Sequence, residues 1–230
     1  MKKLWLLIYF GLIPAIFWWD LYDELVLLKK IGFLEIISNL ILILYYIRYK
    51  KTKFVLIDWY SIEALLFTVV GGILILIFKN HHLLMFLNTV GFYLTQFMYI
   101  SIFRDEGSIL PPLASVIKEW KMIVLTILFF IGLVFLLITY TPNSLLLISF
   151  VYSTQMMVLC WMAYFRPVPE KAFTMGFVGV FLLVMSNLWL AINLLYKELP
   201  YQIGVYFIIY AFSQFLIIES ILYNQNKIEN

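Results

Sequence analysis

The residues of this sequence most able to do chemistry are the polar ones set inside long apolar runs. They are Glu63 and Thr68, then Asn88, Gln96 and Tyr99, Tyr152 and Gln155, Ser186, Asn187 and Asn193, and Tyr210, Gln214 and Glu219. Gln96 and Tyr99 are three apart, Ser186 and Asn193 seven, and Tyr210 and Gln214 four, so each pair shares a helix face. An amide or acid in hydrocarbon is costly unless something pairs with it. Taken singly, each suits an interhelical hydrogen bond worth about 1 kcal/mol. Taken together, they suggest one polar interior pocket walled by bulky apolar residues. Such a pocket would hold an amphiphile, with its chain on the apolar wall and its head group near the amides. Glu63 and Glu219 stand near the ends of their runs, where a long side chain can reach the interface.

The elements that must position these residues follow from composition. The 230 residues are 64% hydrophobic and only 13% charged, roughly half the charged share of a soluble domain. Several apolar runs are long enough to cross a bilayer. The expectation is a single all-α domain over 1–230, a bundle of eight transmembrane helices. The spans expected are 4–22, 32–49, 60–79, 82–103, 120–140, 144–165, 172–196 and 201–223. Trp18 and Trp19 mark an interfacial anchor of the first span, which lacks a cleavage site of the signal-peptide type. Breaks fall at the Arg48–Lys53 basic stretch, at TPNS (141–144), at RPVPEK (166–171) and at LPYQ (199–202). The longest connection, 104–120, contains Pro111 and Pro112 and reads as a surface loop.

Eight spans make a test that the basic residues answer. One side holds Lys2, Lys3, Arg48, Lys50, Lys51, Lys53, Arg104, Lys118, Lys121, Arg166, Lys171 and Lys227; the other holds Lys29, Lys30, Lys79 and Lys197. Twelve against four puts both termini in the cytoplasm of a cell (inner) membrane protein. The net charge of +3 is thereby a topology signal and gives no reason to expect nucleic acid. Cys160 is the only cysteine, which excludes an internal disulfide. His81 and His82 are adjacent and have no companion ligands, so neither a metal nor a cofactor is expected.

Five segments, in order, resemble the YhhN-like integral membrane proteins, a family that includes the lysoplasmalogenases. LLKKIG (27–32) is similar to that family's Lys-Pro segment, with Lys30 in place and Ile31 where proline is usual. ALLFTVVGGILI (64–75) is similar to its Leu-Leu-Phe-Ser-Leu-Leu-Gly-Asp segment, and GFYLTQFMYISIF (91–103) to its Ala-Phe-x-x-x-His-x-x-Tyr segment. GVFLLVMSNLWLA (179–191) is similar to its Gly-Ala-x-x-Phe-x-x-Ser-Asp-x-x-Leu-Ala segment, and YAFSQFLIIES (210–220) to its closing Tyr-x-x-Ala-Gln-x-Leu-Ile motif. The resemblance implies about eight helices and hydrolysis of the vinyl ether bond of lysoplasmalogens. It also implies that two aspartates would serve as the acid/base pair, and here their positions are Gly72 and Asn187. The family's histidine position is Gln96.

The change removes the proton chemistry, since Asn187 does not titrate and Gly72 has no side chain. The leading expectation is therefore a divergent member that binds a membrane lipid or lysolipid without hydrolysing it. Its ligand-binding candidates are Lys30, Gln96, Tyr99, Ser186, Asn187, Tyr210 and Gln214. The alternative is an active hydrolase of ether or ester lysolipids with a relocated carboxylate, Glu63 or Glu219. Glu63 lies nine residues before Gly72, about half a turn around from it. A third reading is a small transporter or lipid flippase, for which Gly71-Gly72 is the one suggestion of a broken helix.

Overall fold

The computed structural model describes residues 2, 4–11, 27–77, 81–108, 118, 120–141, 143–196 and 201–228. Among these residues the chain is helical with no strand. The helices are α1 (4–11), α2 (Leu27–Tyr49), α3 (Leu56–Ile77), α4 (His81–Asp105), α5 (Trp120–Tyr140), α6 (Asn143–Tyr164), α7 (Glu170–Leu195) and α8 (Gln202–Ile228). Their bounds follow the apolar runs, although α2 starts five residues and α3 four residues before the expected spans, and α8 continues five residues past the expected end. Four stretches are long and apolar enough to cross a membrane: Lys30–Tyr49, Leu56–Leu74, Glu170–Asn193 and Gln202–Lys227. Residues 12–22 of the expected first span, with Trp18 and Trp19, lie outside the described residues, as do Lys79, Pro111, Pro112, Pro142 and Lys197. So do the side chains of Lys29, His81, His82 and Asn88.

Local chemistry sets the helix ends. Asp58, in the first turn of α3, accepts from the backbone N–H of Val55 at 2.6 Å, satisfying a donor that the helix itself leaves unpaired. After α4 the chain turns through Gly107 at φ +94°, a conformation that favours glycine. The Ser108 N–H then bonds back to the Phe103 carbonyl at 2.9 Å, closing the helix end. α3 runs unbroken through Gly71-Gly72.

Six helices close a ring in the order α2, α3, α4, α6, α7, α8 and back to α2, while α5 packs on α6 from outside. α1 lies on α8: Tyr9 donates to the Ala211 carbonyl at 2.9 Å, and Phe10 stacks on Phe212. Glycines allow the closest crossings. A Cβ on Gly72 would come 2.7 Å from the Gly32 carbonyl oxygen of α2, and one on Gly91 would come 3.3 Å from Gly71 Cα. A Cβ on Gly179 would come 2.9 Å from the Ile217 amide nitrogen. Close backbone approach at small residues is what holds helices together where lipid cannot drive association. The interior of the ring buries Tyr46, Tyr99, Tyr206, Tyr210, Leu42, Leu65, Ile102 and Phe103.

One end of the bundle carries buried ion pairs. Lys50 meets Asp58 at 2.9 Å, with both side chains at 1% exposure or less. Arg166 meets Glu106, both side chains at 1%, and Arg166 also donates to Ser220 Oγ at 2.7 Å. Asn224 donates to the other Glu106 oxygen at 2.7 Å. The first pair ties the turn after α2 to the start of α3, and the others tie the turns after α4 and α6 to the last turns of α8.

Candidate functional site

The interior of the ring, away from those ion pairs, is polar, and its centre is an acid on α2. Residues 31, 34, 35, 38, 39, 42, 45 and 46 are the buried face of that helix. Their spacing of three and four turns Glu35 and Asn39 inward together. Glu35 is fully buried. Tyr206 donates to its Oε1 at 2.6 Å, while Oε2 has no partner among the described residues. No basic side chain pairs with Glu35 among the described residues. Asn39 donates both to the Glu35 backbone carbonyl at 2.7 Å and to the Tyr210 hydroxyl at 2.8 Å. Glu35 lies near enough to act electrostatically on Tyr152 as well as on Tyr206 and Tyr210.

Amides complete the chamber. Tyr99 donates to Gln214 Oε1, and Gln214 Nε2 has no partner. Gln96 is buried at 1% exposure with its amide within reach of the Tyr152 hydroxyl, though neither polar atom makes a well-formed hydrogen bond among the described residues. Asn39 Oδ1 and Gln155 Oε1 are also unpartnered, although Gln155 donates to the Tyr93 carbonyl at 3.0 Å. Tyr152 donates to Asn187 Oδ1 at 2.9 Å, and Asn187 donates to the Leu183 carbonyl at 2.7 Å. A buried polar atom without a partner costs about 1–3 kcal/mol. A buried carboxyl oxygen and several buried amide atoms without partners, gathered in one part of the ring, mark it as the candidate site.

The sequence candidates separate into those that line this chamber and those that do not. Gln96, Tyr99, Tyr210 and Gln214 come together around Glu35 and Asn39, and Asn187 joins them through Tyr152. Ser186 turns back to the Leu183 carbonyl at 2.8 Å, and Asn193 to the Trp189 carbonyl at 2.7 Å. Lys30 is buried at the other end of α2 from the ion pairs, five residues before Glu35. Gly72 is at the α2–α3 crossing, pressed on Gly32 and Ile36. Glu63 is half-buried, off the inward α3 face of Ser61, Ala64, Leu65 and Thr68. Glu219 is held by Lys2 and by Tyr45, whose hydroxyl is 2.7 Å away. Tyr45 is ten residues beyond Glu35, about 15 Å along the helix, so Glu219 belongs to the charged end.

Glu35 and Asn39 are the residues that the sequence reading passed over. A signal for them existed: FLEIISN (33–39) places an acid and an amide four apart in a run of transmembrane length, and an embedded acid is a functional candidate by default. Among the described residues no group of three His, Cys, Asp or Glu side chains could hold a metal.

Comparison with known proteins adds one positive result: the YhhN family model matches residues 33–221. No curated protein and no solved structure matches this chain.

Proposed function

The chain belongs to the YhhN family, and from that premise we propose that it is a membrane protein that binds an ether lysolipid in the Glu35 chamber, with Glu35 supplying the proton for vinyl ether hydrolysis. One observation carries this reading: Glu35 is fully buried, anchored by Tyr206 through one oxygen and unpartnered at the other. The acid differs from either substitute named from the sequence. Glu63 and Glu219 stand off the chamber, whereas Glu35 lies within it. The Gly72 position, where the resemblance implies a carboxylate, abuts Gly32 and Ile36 of α2. The carboxyl absent from α3 therefore has a counterpart one helix over.

The chemistry needs few parts. Glu35 Oε2 delivers its proton to the vinyl carbon remote from oxygen, leaving a carboxylate and an oxocarbenium ion. Water adds to the cationic carbon and returns a proton to Glu35, restoring the acid. The hemiacetal then collapses to a fatty aldehyde and the free glycerol hydroxyl. The hydroxyls of Tyr206 and Tyr210 and the amides of Asn39, Gln96 and Gln214 are placed to orient the glycerol and the water.

The binding-only reading stays as the second one, on a specific observation. Asn187 spends both ends of its amide on Tyr152 and the Leu183 carbonyl, so that position works as a helix tie. Eight spans, with both termini cytoplasmic in a cell membrane, complete the proposal; the twelve-to-four division of basic residues supports it.

Purified protein supplied with lysoplasmalogen should release fatty aldehyde, and Glu35→Gln should lower the rate at least 100-fold while lysolipid binding persists. Binding without any aldehyde from the wild-type protein would select the binding-only reading. Absence of both binding and turnover would sink the proposal.

A further inference from the structure

An amphiphile dissolved in the bilayer must reach the chamber between helices, and most seams of the ring are shut. The α2–α3, α3–α4 and α7–α8 seams close on backbone at Gly72, Gly91 and Gly179. Thr68 and Thr95 hydroxyls add a contact of 2.9 Å across α3–α4. The α2–α8 seam is tied by Glu35–Tyr206 and Asn39–Tyr210 and backed by α1. Between chamber and charged end stand Ile102, Phe103, Ile217, Ile218 and Ile221, all at 0% exposure.

The α6–α7 seam differs. These helices are consecutive and joined by a five-residue turn, 165–169, yet they pack as sparsely as α2 with α8, without that seam's two buried side-chain ties. Near the turn, Tyr164 holds Phe177 at 5.6 Å between ring centroids. At mid-helix the seam carries the Tyr152–Asn187 hydrogen bond, both residues half-buried. Beside it lies a small cavity of about 30 Å³ lined by Ser153, Met156, Met157 and Cys160 of α6, Val184 of α7 and α5 residues including Phe130. Its wall is almost wholly apolar and flexible at the methionines. A volume that admits about one water cannot hold an alkyl chain until α5, which packs chiefly on α6, moves outward.

We propose that the α6–α7 seam, covered by α5, is a lateral port through which the single alkyl chain of a lysolipid passes between the bilayer and the Glu35 chamber, with Tyr152–Asn187 as its latch. This rests on the lysolipid reading of the chamber. Tyr152 links the two, because the same side chain ties α6 to α7 and faces Glu35 and Gln96. The chain would lie along Met156, Met157 and Val184 while the polar end reaches inward past Tyr152.

The test pins α5 without touching the chamber. Phe130 and Phe150 have ring centroids 6.0 Å apart, so Phe130→Cys with Phe150→Cys, in a Cys160→Ala background, can be bridged by a short bismaleimide. The probe is deuterated lysophosphatidylethanolamine, and its exchange into protein in nanodiscs is followed by native mass spectrometry. Bridged protein should exchange the probe at least tenfold more slowly than the same variant capped with N-ethylmaleimide. Tyr152→Phe, which removes the latch, should exchange severalfold faster than wild type. Equal rates for bridged and capped protein overturn the port while leaving the chamber reading intact. Failure of the capped protein to take up any probe overturns both.

Discussion

Glu35 differs from the other acids of this chain in its surroundings. Asp58 and Glu106 are buried against basic partners, and Glu219 leans on Lys2, whereas Glu35 bonds to the Tyr206 hydroxyl and makes no ion pair among the described residues. Its second carboxyl oxygen has no partner among the described residues. Gly72 is its counterpart at the same scale. Because a Cβ there would lie 2.7 Å from the Gly32 carbonyl oxygen, Gly72→Ala should cost about 1–3 kcal/mol, the usual penalty of overpacking. Gly132→Ala is the control, since nothing lies within 4 Å of its added Cβ. Thermal unfolding in detergent should separate the two; equal midpoints would show that the α2–α3 crossing is looser than described. Restoring aspartate at Gly72 and Asn187 together should consequently disrupt the crossing before it could supply an acid. Gln96, Tyr99, Tyr210 and Gln214 were legible from their spacing as an inward set. Glu35 was legible by type alone, because α2 carries apolar residues on every face and nothing in its spacing says which side turns inward.

Helix bounds were readable to within about five residues because apolar run lengths and the breaks at 50–55, 141–142 and 165–169 depend on local chemistry. The ring order was not readable. Helices apolar on every face carry no stripe that says which side is inward, and the neighbours are chosen by glycine crossings and by single polar ties. Nor did the sequence reveal that Lys50 and Arg166, taken as topology signals, turn inward to Asp58 and Glu106. The Arg166–Glu106 pair joins the α4 and α6 ends to α8 through Ser220 and Asn224. Glu106→Ala would strand a buried guanidinium, and should destabilise the protein by about 3–5 kcal/mol. Urea unfolding in a mild detergent, followed by tryptophan fluorescence, would measure it. A loss below 1 kcal/mol would mean that the pair is hydrated and does not lock the end of the bundle.

For the whole molecule, a polar chamber, an apolar layer and a charged end succeed one another along the bundle axis. The proposed orientation, with the charged end in the cytoplasm, would turn the chamber to the other half of the membrane. Cysteine accessibility checks that orientation: in a Cys160→Ala background, Lys197→Cys should label with an impermeant maleimide on intact cells, and Lys51→Cys only after permeabilisation. The reverse pattern would invert the bundle and the leaflet it serves. The central claim, that Glu35 protonates a vinyl ether, is tested most directly in deuterium oxide with lysoplasmalogen as substrate and immediate reduction of the aldehyde released. One deuterium is expected on the carbon next to the former carbonyl, with loss of product in Glu35→Gln protein that still binds lysolipid. Wild-type turnover by the Glu35→Gln protein would rule out Glu35 as the proton donor.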